Sequence, residues 1–239
     1  MPLDLLAFGP HPDDLEIGMA GTIRRHVSEG RSVGLCDLTA GELGTNGAPE
    51  DRVREAEATR EILGAAFRET LRWPDRGIGK DPAHLDEAVA YIRRHRPRTV
   101  AVPYWADRHP DHVAASELLT EAVFTAGLRR YPAAGDAWAT DWICYYFIND
   151  AVTPSFAVDV SDHYDRKRQA LDCHASQFGP PGETTAATRL NTPLFRQLVE
   201  SRDAQFGARS GVRWAEGFVV REPLLRAGLM RGRRDGEAS

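Results

Sequence analysis

The sequence predicts an α/β fold in which helices cover both faces of a mostly parallel sheet. Short apolar strands alternate with helices along the 239 residues, and helical segments of about 10–15 residues between strands are typical of parallel sheets. Hydrophobic residues form 42% of the chain and charged residues 27%, as in ordinary globular proteins. Neither a repeat nor a long linker divides the chain, so we expect one domain over residues 1–239, with a flexible tail at residues 232–239.

The first half of the chain predicts two strands and two helices. Residues 3–9 form a short apolar strand that ends at Gly9-Pro10, a pair that stops regular structure. Residues 17–29 carry apolar side chains at helical spacing, and Gly30 suits the C-terminal cap of that helix. A strand, a glycine-rich loop and a helix then follow in order, at residues 32–39, 40–49 and 50–63.

The second half continues the alternation of helices and strands. Four further helices are predicted at residues 85–95, 113–126, 162–177 and 193–206. Four further strands are predicted at residues 98–103, 141–148, 156–160 and 217–220. Residues 133–140 and 179–191 are rich in Gly, Pro or Thr and are predicted to be loops, the second of them a mobile rim.

Composition argues against several classes of protein. Thirty Lys and Arg residues against 35 Asp and Glu give a net charge of −5, whereas nucleic-acid binders usually present a basic face. Cys36, Cys144 and Cys173 are widely spaced, which is typical of reduced thiols. No apolar run approaches the ~20 residues that a membrane helix needs. We therefore expect a cytoplasmic protein that binds neither nucleic acid nor a membrane.

Two polar clusters directly follow predicted strands. His11-Pro12-Asp13-Asp14-Leu15-Glu16 follows the first strand, and Asp107-Arg108-His109-Pro110-Asp111-His112 follows the strand at residues 98–103. Ligands of such sheets bind at the carboxyl ends of the strands, so both clusters are expected at one edge. Together they supply three histidines and four aspartates, the residue types that bind catalytic zinc and related divalent ions.

A catalytic metal site takes three protein ligands and leaves a position for water. His11, Asp14 and His112 would form such a set, since His11 and Asp14 lie one turn apart and His112 comes from the other strand end. Asp13 is then free to act as a general base. The spacing therefore predicts a hydrolytic metal centre.

His109 lies three residues before His112, at the start of the same predicted helix. It could stabilise developing charge or protonate a leaving group, and Asp111 could hold its imidazole in one orientation. Helix capping is the alternative explanation of each cluster, because proline and acidic residues favour a helix start. Two such clusters, each at a strand end, favour the metal site over capping.

The sequence lacks the motifs of several other enzyme classes. It contains no Walker loop and no HExxH. A GxGxxG fingerprint is also absent after the first strand, which argues against an NAD enzyme.

Both clusters resemble the motifs of the LmbE-like (PIG-L) zinc N-deacetylases. Arg52-Val53-Arg54-Glu55-Ala56 also resembles the RxxEA helix of that family. A narrower similarity to the bacillithiol-pathway deacetylases, which remove acetate from N-acetylglucosaminyl-malate, is carried by residues 145–150, 154–161, 176–178 and 211–218.

The resemblance implies a Rossmann-like three-layer α/β/α fold and a homo-oligomer, commonly a hexamer. It implies Zn²⁺, with Fe²⁺ or another divalent ion as alternatives, bound by His11, Asp14 and His112. It also implies the remaining roles within the two clusters: a base at Asp13, a charge-stabilising histidine at His109, and its partner at Asp111.

Three residues are expected to bind substrate on the same grounds. Arg52 and Arg108 match basic positions suited to the malate carboxylates, although Arg52 could instead be a solvated residue at a helix start. Asn149 could contact sugar hydroxyls or begin a turn with Asp150. Some members of the family use a tyrosine as an oxyanion donor, and Phe195 is the candidate for its position in this sequence.

The function implied is metal-dependent removal of an N-acetyl group from an N-acetylglucosaminyl conjugate. The first expectation for the substrate is N-acetylglucosaminyl-malate of bacillithiol biosynthesis. The alternative is another N-acetyl sugar, either a mycothiol-type conjugate or a chitooligosaccharide.

Overall fold

A computed structural model describes residues 2–183 and 185–225 of the chain. Its strands are β1 Leu5–Gly9, β2 Val33–Asp37, β3 Phe67–Thr70, β4 Thr99–Pro103, β5 Trp142–Tyr146, β6 Phe156–Asp159 and β7 Ala215–Val219. Its helices are α1 Asp14–Ser28, α2 Pro49–Leu63, α3 Ala83–His95, α4 Pro110–Ala126, α5 Tyr164–Cys173, α6 Ala175–Phe178 and α7 Pro193–Ser210. The predicted tail at residues 232–239 lies outside the described residues.

The described strands form one sheet in the order β3-β2-β1-β4-β5-β7-β6. The pairs from β3 to β5 are all parallel, and β7 runs antiparallel to both β5 and β6. This arrangement confirms the mostly parallel sheet that the sequence predicts. The inner strand β1 pairs with β2 on one side and β4 on the other.

Helices pack on both faces of the sheet, as predicted, because strand residues alternate between two apolar cores. Leu6 and Phe8 of β1 face one core, which they share with apolar residues of α3 and α4. Leu5 and Ala7 face the other core, with residues of α1, α5 and α7. A strand buried on both faces reads as a continuous apolar run, which is why β1 was visible in the sequence. None of the described helices is long and apolar enough to cross a membrane.

The prediction missed β3 at the sheet edge. Its sequence Phe67-Arg68-Glu69-Thr70 is mostly polar and only partly buried, so it does not show the apolar run of a central strand. Arg68 nevertheless has a buried side chain, which pairs with Asp37 at the end of β2. A buried ion pair of this kind leaves no signal in hydrophobic periodicity.

Several predicted boundaries differ from the structure. α1 and α4 each begin three residues before the predicted starts, because the polar clusters themselves form the first helical turns. The helix predicted at residues 162–177 divides into a short 3₁₀ turn at Ser161–His163, then α5 and α6, with His174 between the two helices.

Gly18 allows α1 to approach the sheet closely. A Cβ atom at this position would lie 2.2 Å from the Tyr146 ring and 2.8 Å from the Phe147 carbonyl oxygen. Tyr146 is fully buried, and its hydroxyl donates a hydrogen bond to the Phe8 carbonyl. The ring therefore has little freedom to move away from an added methyl group.

We predict that Gly18→Ala lowers the free energy of unfolding by about 1–3 kcal/mol, the usual cost of overpacking. Urea denaturation followed by circular dichroism would measure the change. Gly182→Ala is the matched control, because no heavy atom lies within 4 Å of a Cβ placed there. Equal denaturation midpoints for both variants would show that α1 does not pack this closely.

Candidate active site

The two polar clusters meet at the carboxyl edge of the sheet because β1 and β4 are parallel neighbours. His11 lies in the short loop after β1, and Asp14 is the first residue of α1. His109 caps the N-terminus of α4, and His112 lies in its first turn. Two loops that leave adjacent strands thus bring side chains about 100 residues apart into one pocket.

One oxygen of Asp14 joins the predicted metal ligands. Asp14 Oδ2 lies 3.1 Å from His11 Nδ1 and 3.3 Å from His112 Nε2. All three side chains are buried. Burial raises the pKa of Asp14, but His112 and His11 outweigh this effect and hold the pKa well below its ordinary value. Burial lowers the pKa of His112, but Asp14 and Asp107 raise it to about 9.

These residues fit a divalent cation by the chemistry of their donors. Two imidazoles and one carboxylate form the ligand set of many catalytic zinc sites. Here both imidazoles lie within hydrogen-bond distance of one carboxylate oxygen. His11, His109 and His112 also offer nitrogens within 4.8 Å of one another. His11 further lies beside Asp75 and Asp111, which give a third possible donor set. His11 is common to all three sets.

Asp107 supports the metal-ligand cluster from behind. Its Oδ1 lies 3.0 Å from His112 Nδ1. The same oxygen accepts hydrogen bonds from the His109 backbone N–H and from the Asn149 side-chain amide. A carboxylate that holds the second nitrogen of a ligand histidine fixes the ring orientation and tautomer. Burial raises the pKa of Asp107, but His112 and backbone N–H groups lower it to about 2.

Sequence reasoning placed Asp107 in the cluster without giving it a role. Its signal was a carboxylate five residues before a candidate ligand histidine. That spacing brings the two side chains together only because α4 begins between them.

Asp13 lies beside Asp14 and is also buried. Its Oδ2 lies 3.3 Å from Arg52 Nη2 and has no hydrogen-bond partner among the described residues. Arg52 is 4% exposed and donates from Nη1 to the Gly41 carbonyl at 3.0 Å. The alternative that Arg52 is a solvated residue at a helix start is therefore wrong. Its side chain lies against the predicted base.

His109 is held differently from the expectation. Its Nδ1 accepts a hydrogen bond from the Asp111 backbone N–H at 3.2 Å. The Asp111 carboxylate instead accepts from the backbone and side chain of Arg76, at 2.8 and 3.1 Å. The expected carboxylate–imidazole contact is thus replaced by a backbone contact, since α4 turns the Asp111 side chain toward Arg76. Burial, with the charges of His11 and His112, lowers the pKa of His109.

The cluster lies in a pocket of about 570 Å³, a size suited to a small ligand. Of the predicted site residues, the pocket is lined by His11, Asp13, Asp14, Arg52, Arg108, His109, His112 and Asn149. Residues that sequence reasoning missed also line it: Asp75, Arg76, Gln177, Thr188 and Arg189. Gln177 belongs to the one-turn helix α6. The other four lie on loops, where no periodic pattern marks a functional side chain.

Arg108 and Asn149 lie at the rim of the pocket. Arg108 is exposed. Asn149 donates its side-chain amide to Asp107 at 3.0 Å and accepts from Arg189 at 2.6 Å. Asn149 thereby links the loop after β5 to the loop that carries Arg189. Phe195, the candidate for the oxyanion position, is buried in the apolar core against Phe178.

Buried imidazole and carboxylate donors at the carboxyl edge of a parallel α/β sheet are an arrangement suited to holding a divalent cation. Residues 6–123 match the GlcNAc-PI de-N-acetylase family, PIG-L. The diacetylchitobiose deacetylase of Thermococcus kodakarensis is 32% identical over 229 residues, covering 90% of this chain and 81% of that protein. The chain therefore belongs to the PIG-L family of N-deacetylases and is a hydrolase.

Two further similarities are informative. A 1D-myo-inositol 2-acetamido-2-deoxy-α-D-glucopyranoside deacetylase of Rhodococcus erythropolis is 35% identical over 57% of this chain and 58% of that protein. The crystal structure of the conserved protein TT1542 from Thermus thermophilus superposes with a TM-score of 0.87 at 38% identity. That similarity covers 96% of this chain and 100% of the other.

We predict that Asp107→Asn weakens zinc binding about tenfold, since the loss of a carboxylate behind a ligand histidine typically has this effect. Competition with a chromophoric chelator would give the zinc Kd. Asp172→Asn serves as the control, because Asp172 is 66% exposed and pairs with Arg196 away from the pocket. An unchanged Kd in folded Asp107→Asn protein would contradict the role given to Asp107.

Proposed function

We propose that this protein removes the N-acetyl group from an N-acetylglucosamine glycoside in a metal-dependent hydrolysis. The observation that carries the proposal is the buried group of His11, Asp14 and His112, with Asp13 beside it in one pocket. Membership of the N-deacetylase family supports the reaction type.

The named relatives favour a neutral sugar or polyol as the rest of the substrate. One relative is a diacetylchitobiose deacetylase and another deacetylates an inositol glycoside. They support the alternative substrates, a chitooligosaccharide or a mycothiol-type conjugate, over N-acetylglucosaminyl-malate. We therefore propose a glucosaminide with a neutral aglycone as the substrate.

His11, Asp14 and His112 would hold the metal, for which Zn²⁺ is the first candidate and Fe²⁺ an alternative. When bound, such an ion supplies a Lewis acid for the amide carbonyl and lowers the pKa of water. Asp107 lies behind the His112 of this set. Asp14 Oδ2 adds a carboxylate oxygen 3.1 and 3.3 Å from its two imidazoles, which the set of His11, His109 and His112 lacks. The set of His11, Asp75 and Asp111 has only one imidazole, and Asp111 is already paired with the Arg76 guanidinium.

Asp13 is the proposed general base. Its carboxyl group lines the pocket, and its Oδ2 is buried beside Arg52 with no hydrogen-bond donor among the described residues, so the carboxylate keeps the capacity to accept a proton from a water molecule in the pocket. The same carboxyl group can return that proton to the amine nitrogen as the C–N bond breaks. Arg52 holds the carboxylate in place through its contact at 3.3 Å.

His109 is the proposed hydrogen-bond donor to the negative oxygen that develops on the amide. Because its Nδ1 accepts from the Asp111 backbone, the neutral ring carries its proton on Nε2. The neutral ring can therefore donate a hydrogen bond from Nε2 without taking up a second proton, in keeping with the lowered pKa of His109. Asp111 acts on His109 through its backbone and not through its carboxylate.

The substrate-binding roles are revised accordingly. Arg108 remains the proposed contact to the aglycone, since it is exposed at the rim. Arg52 supports the base, and Asn149 shapes the rim through Asp107 and Arg189. A single domain over residues 1–239, a homo-oligomer such as a hexamer, and a cytoplasmic location stay predictions.

We predict that Asp13→Asn lowers kcat by about 10²–10⁴-fold, the usual contribution of a general base, while zinc content is unchanged. Amine release from diacetylchitobiose and metal analysis of the same protein would measure both quantities. Asp162→Asn, at an exposed position, is the control. Retention of full turnover by Asp13→Asn would exclude Asp13 as the base.

The substrate proposal predicts an order of rates. Diacetylchitobiose and the N-acetylglucosaminyl inositol are expected to react faster than N-acetylglucosaminyl-malate, and a metal chelator is expected to abolish all three activities. Acetate release from the three compounds at equal concentration tests this order. Preference for the malate compound would restore the first expectation, and activity that resists removal of the metal would refute metal dependence.

A further inference from the structure

Helix α1, which begins with Asp14, contains a break at Met19. The backbone of Met19 has φ −152° and ψ 20°, so the helical hydrogen-bond pattern is interrupted there. Backbone groups released inside a buried segment need other partners. Most of α1 up to Ile23 is buried, so water is not available to satisfy them.

Glu216 of β7 accepts hydrogen bonds from two backbone N–H groups that follow the break. Its carboxylate accepts from Gly21 N at 3.1 Å and from Thr22 N at 2.7 Å. It therefore acts as the N-cap carboxylate of the second part of α1. Lys167 Nζ, fully buried, lies 2.6 Å from Glu216 and 2.8 Å from Asp203.

Arg202 of α7 donates a hydrogen bond to a backbone carbonyl that precedes the break. Its Nη2 donates to the Ile17 carbonyl at 2.6 Å. Its Nη1 donates to the carbonyls of Phe147 and Ile148, at 3.1 and 3.0 Å. One guanidinium thus joins the first part of α1 to the segment that follows β5.

Arg202 also completes a buried chain of alternating charges across the break. Its Nε lies 3.0 Å from Asp203, which contacts Lys167, which in turn contacts Glu216. Burial of charged side chains has a high desolvation cost unless they are paired and hydrogen-bonded. This chain pairs every charge with its neighbour and directs both ends at the backbone of α1.

Both attachment points of Arg202 lead to proposed metal ligands. Ile17 lies three residues after Asp14 in the first part of α1. Ile148 precedes Asn149, whose backbone N–H donates to Asp107 at 2.9 Å. Asp107 in turn holds His112. Arg202 is therefore the link between the part of the chain that carries Asp14 and the part that orients His112.

We infer that Arg202 and Glu216 are positioning residues for the metal centre. They hold the break in α1 at a fixed place, and through it they set the position of Asp14 relative to His112. The inference rests on the proposed metal site at His11, Asp14 and His112. A purely structural role would instead change the stability of the fold and leave metal affinity and coordination unaltered.

Arg202→Met and Glu216→Gln test the inference in the full-length protein. Methionine removes the donors of Arg202 but keeps most of its length, and glutamine keeps one acceptor of Glu216. Arg202→Lys keeps the positive charge and provides one ammonium donor group in place of the guanidinium. Arg196→Met is the matched control, because Arg196 lies on the same helix and pairs with Asp172 outside the pocket.

Three readouts separate the two roles. Chelator competition gives the zinc Kd, the visible spectrum of the Co²⁺-loaded protein reports the coordination geometry, and circular dichroism with urea denaturation reports the fold. We expect the zinc Kd to rise in both variants, by about tenfold in Arg202→Met, the lower end of the effect of losses behind metal ligands. The Co²⁺ spectrum is expected to change in both variants, to return toward wild type in Arg202→Lys, and to stay the same in Arg196→Met.

Wild-type zinc affinity and an unaltered Co²⁺ spectrum in folded Arg202→Met and Glu216→Gln would overturn the inference and leave the proposed function standing. If Arg202→Met does not fold, Arg202→Lys and Glu216→Gln decide by the same two readouts. Failure of the wild-type protein itself to bind zinc would instead refute the proposed metal site, and the inference with it.

Discussion

The site depends on one buried oxygen, Asp14 Oδ2, which two imidazoles approach from neighbouring strand ends. A carboxylate excluded from water is unstable unless cationic or hydrogen-bonding partners surround it. The parallel pairing of β1 with β4 supplies those partners, since it places the loop after each strand at the same edge. The order of the strands in the sheet therefore determines which side chains meet in the pocket. A different neighbour for β1 would separate His112 from Asp14 and leave His11 as the one imidazole beside that charge.

Buried polar contacts hold α1 on two sides as well as in its first turn. Glu16 lies against Arg68 and Thr59, and Arg68 pairs in turn with Asp37. Burial raises the pKa of Glu16, but Arg68 and His174 outweigh it and keep the pKa far below its ordinary value. Glu16 therefore stays charged and fixed. Apolar packing against the sheet can tolerate small shifts, whereas a fully paired set of buried charges makes the position of the helix more rigid.

The sequence predicted the parts of this protein in which local pattern and tertiary structure agree. Apolar runs identified β1 and β4, and the polar clusters after them identified the edge where the pocket lies. Residues such as Arg202 and Glu216 gave no such signal, because their partners in α1 lie nearly 200 residues away. β3 was missed for the same reason, since Arg68 is buried by charges on other elements. Hydrophobic periodicity reports the side chains that leave water for apolar packing, and these residues leave water for ion pairs.

The groups proposed to act on the amide and the groups proposed to contact the rest of the substrate lie on different parts of the fold. The groups proposed to act on the amide lie directly after β1 and β4, where the sheet restricts their movement. The rim is formed by Arg108, Asn149 and Arg189, which lie on loops, and Arg189 donates a hydrogen bond to Asn149. Loops tolerate substitution far better than strand ends. A family built this way can keep one deacetylation site while its aglycone changes, which explains how relatives with named substrates as different as a chitobiose and an inositol glycoside resemble the same chain.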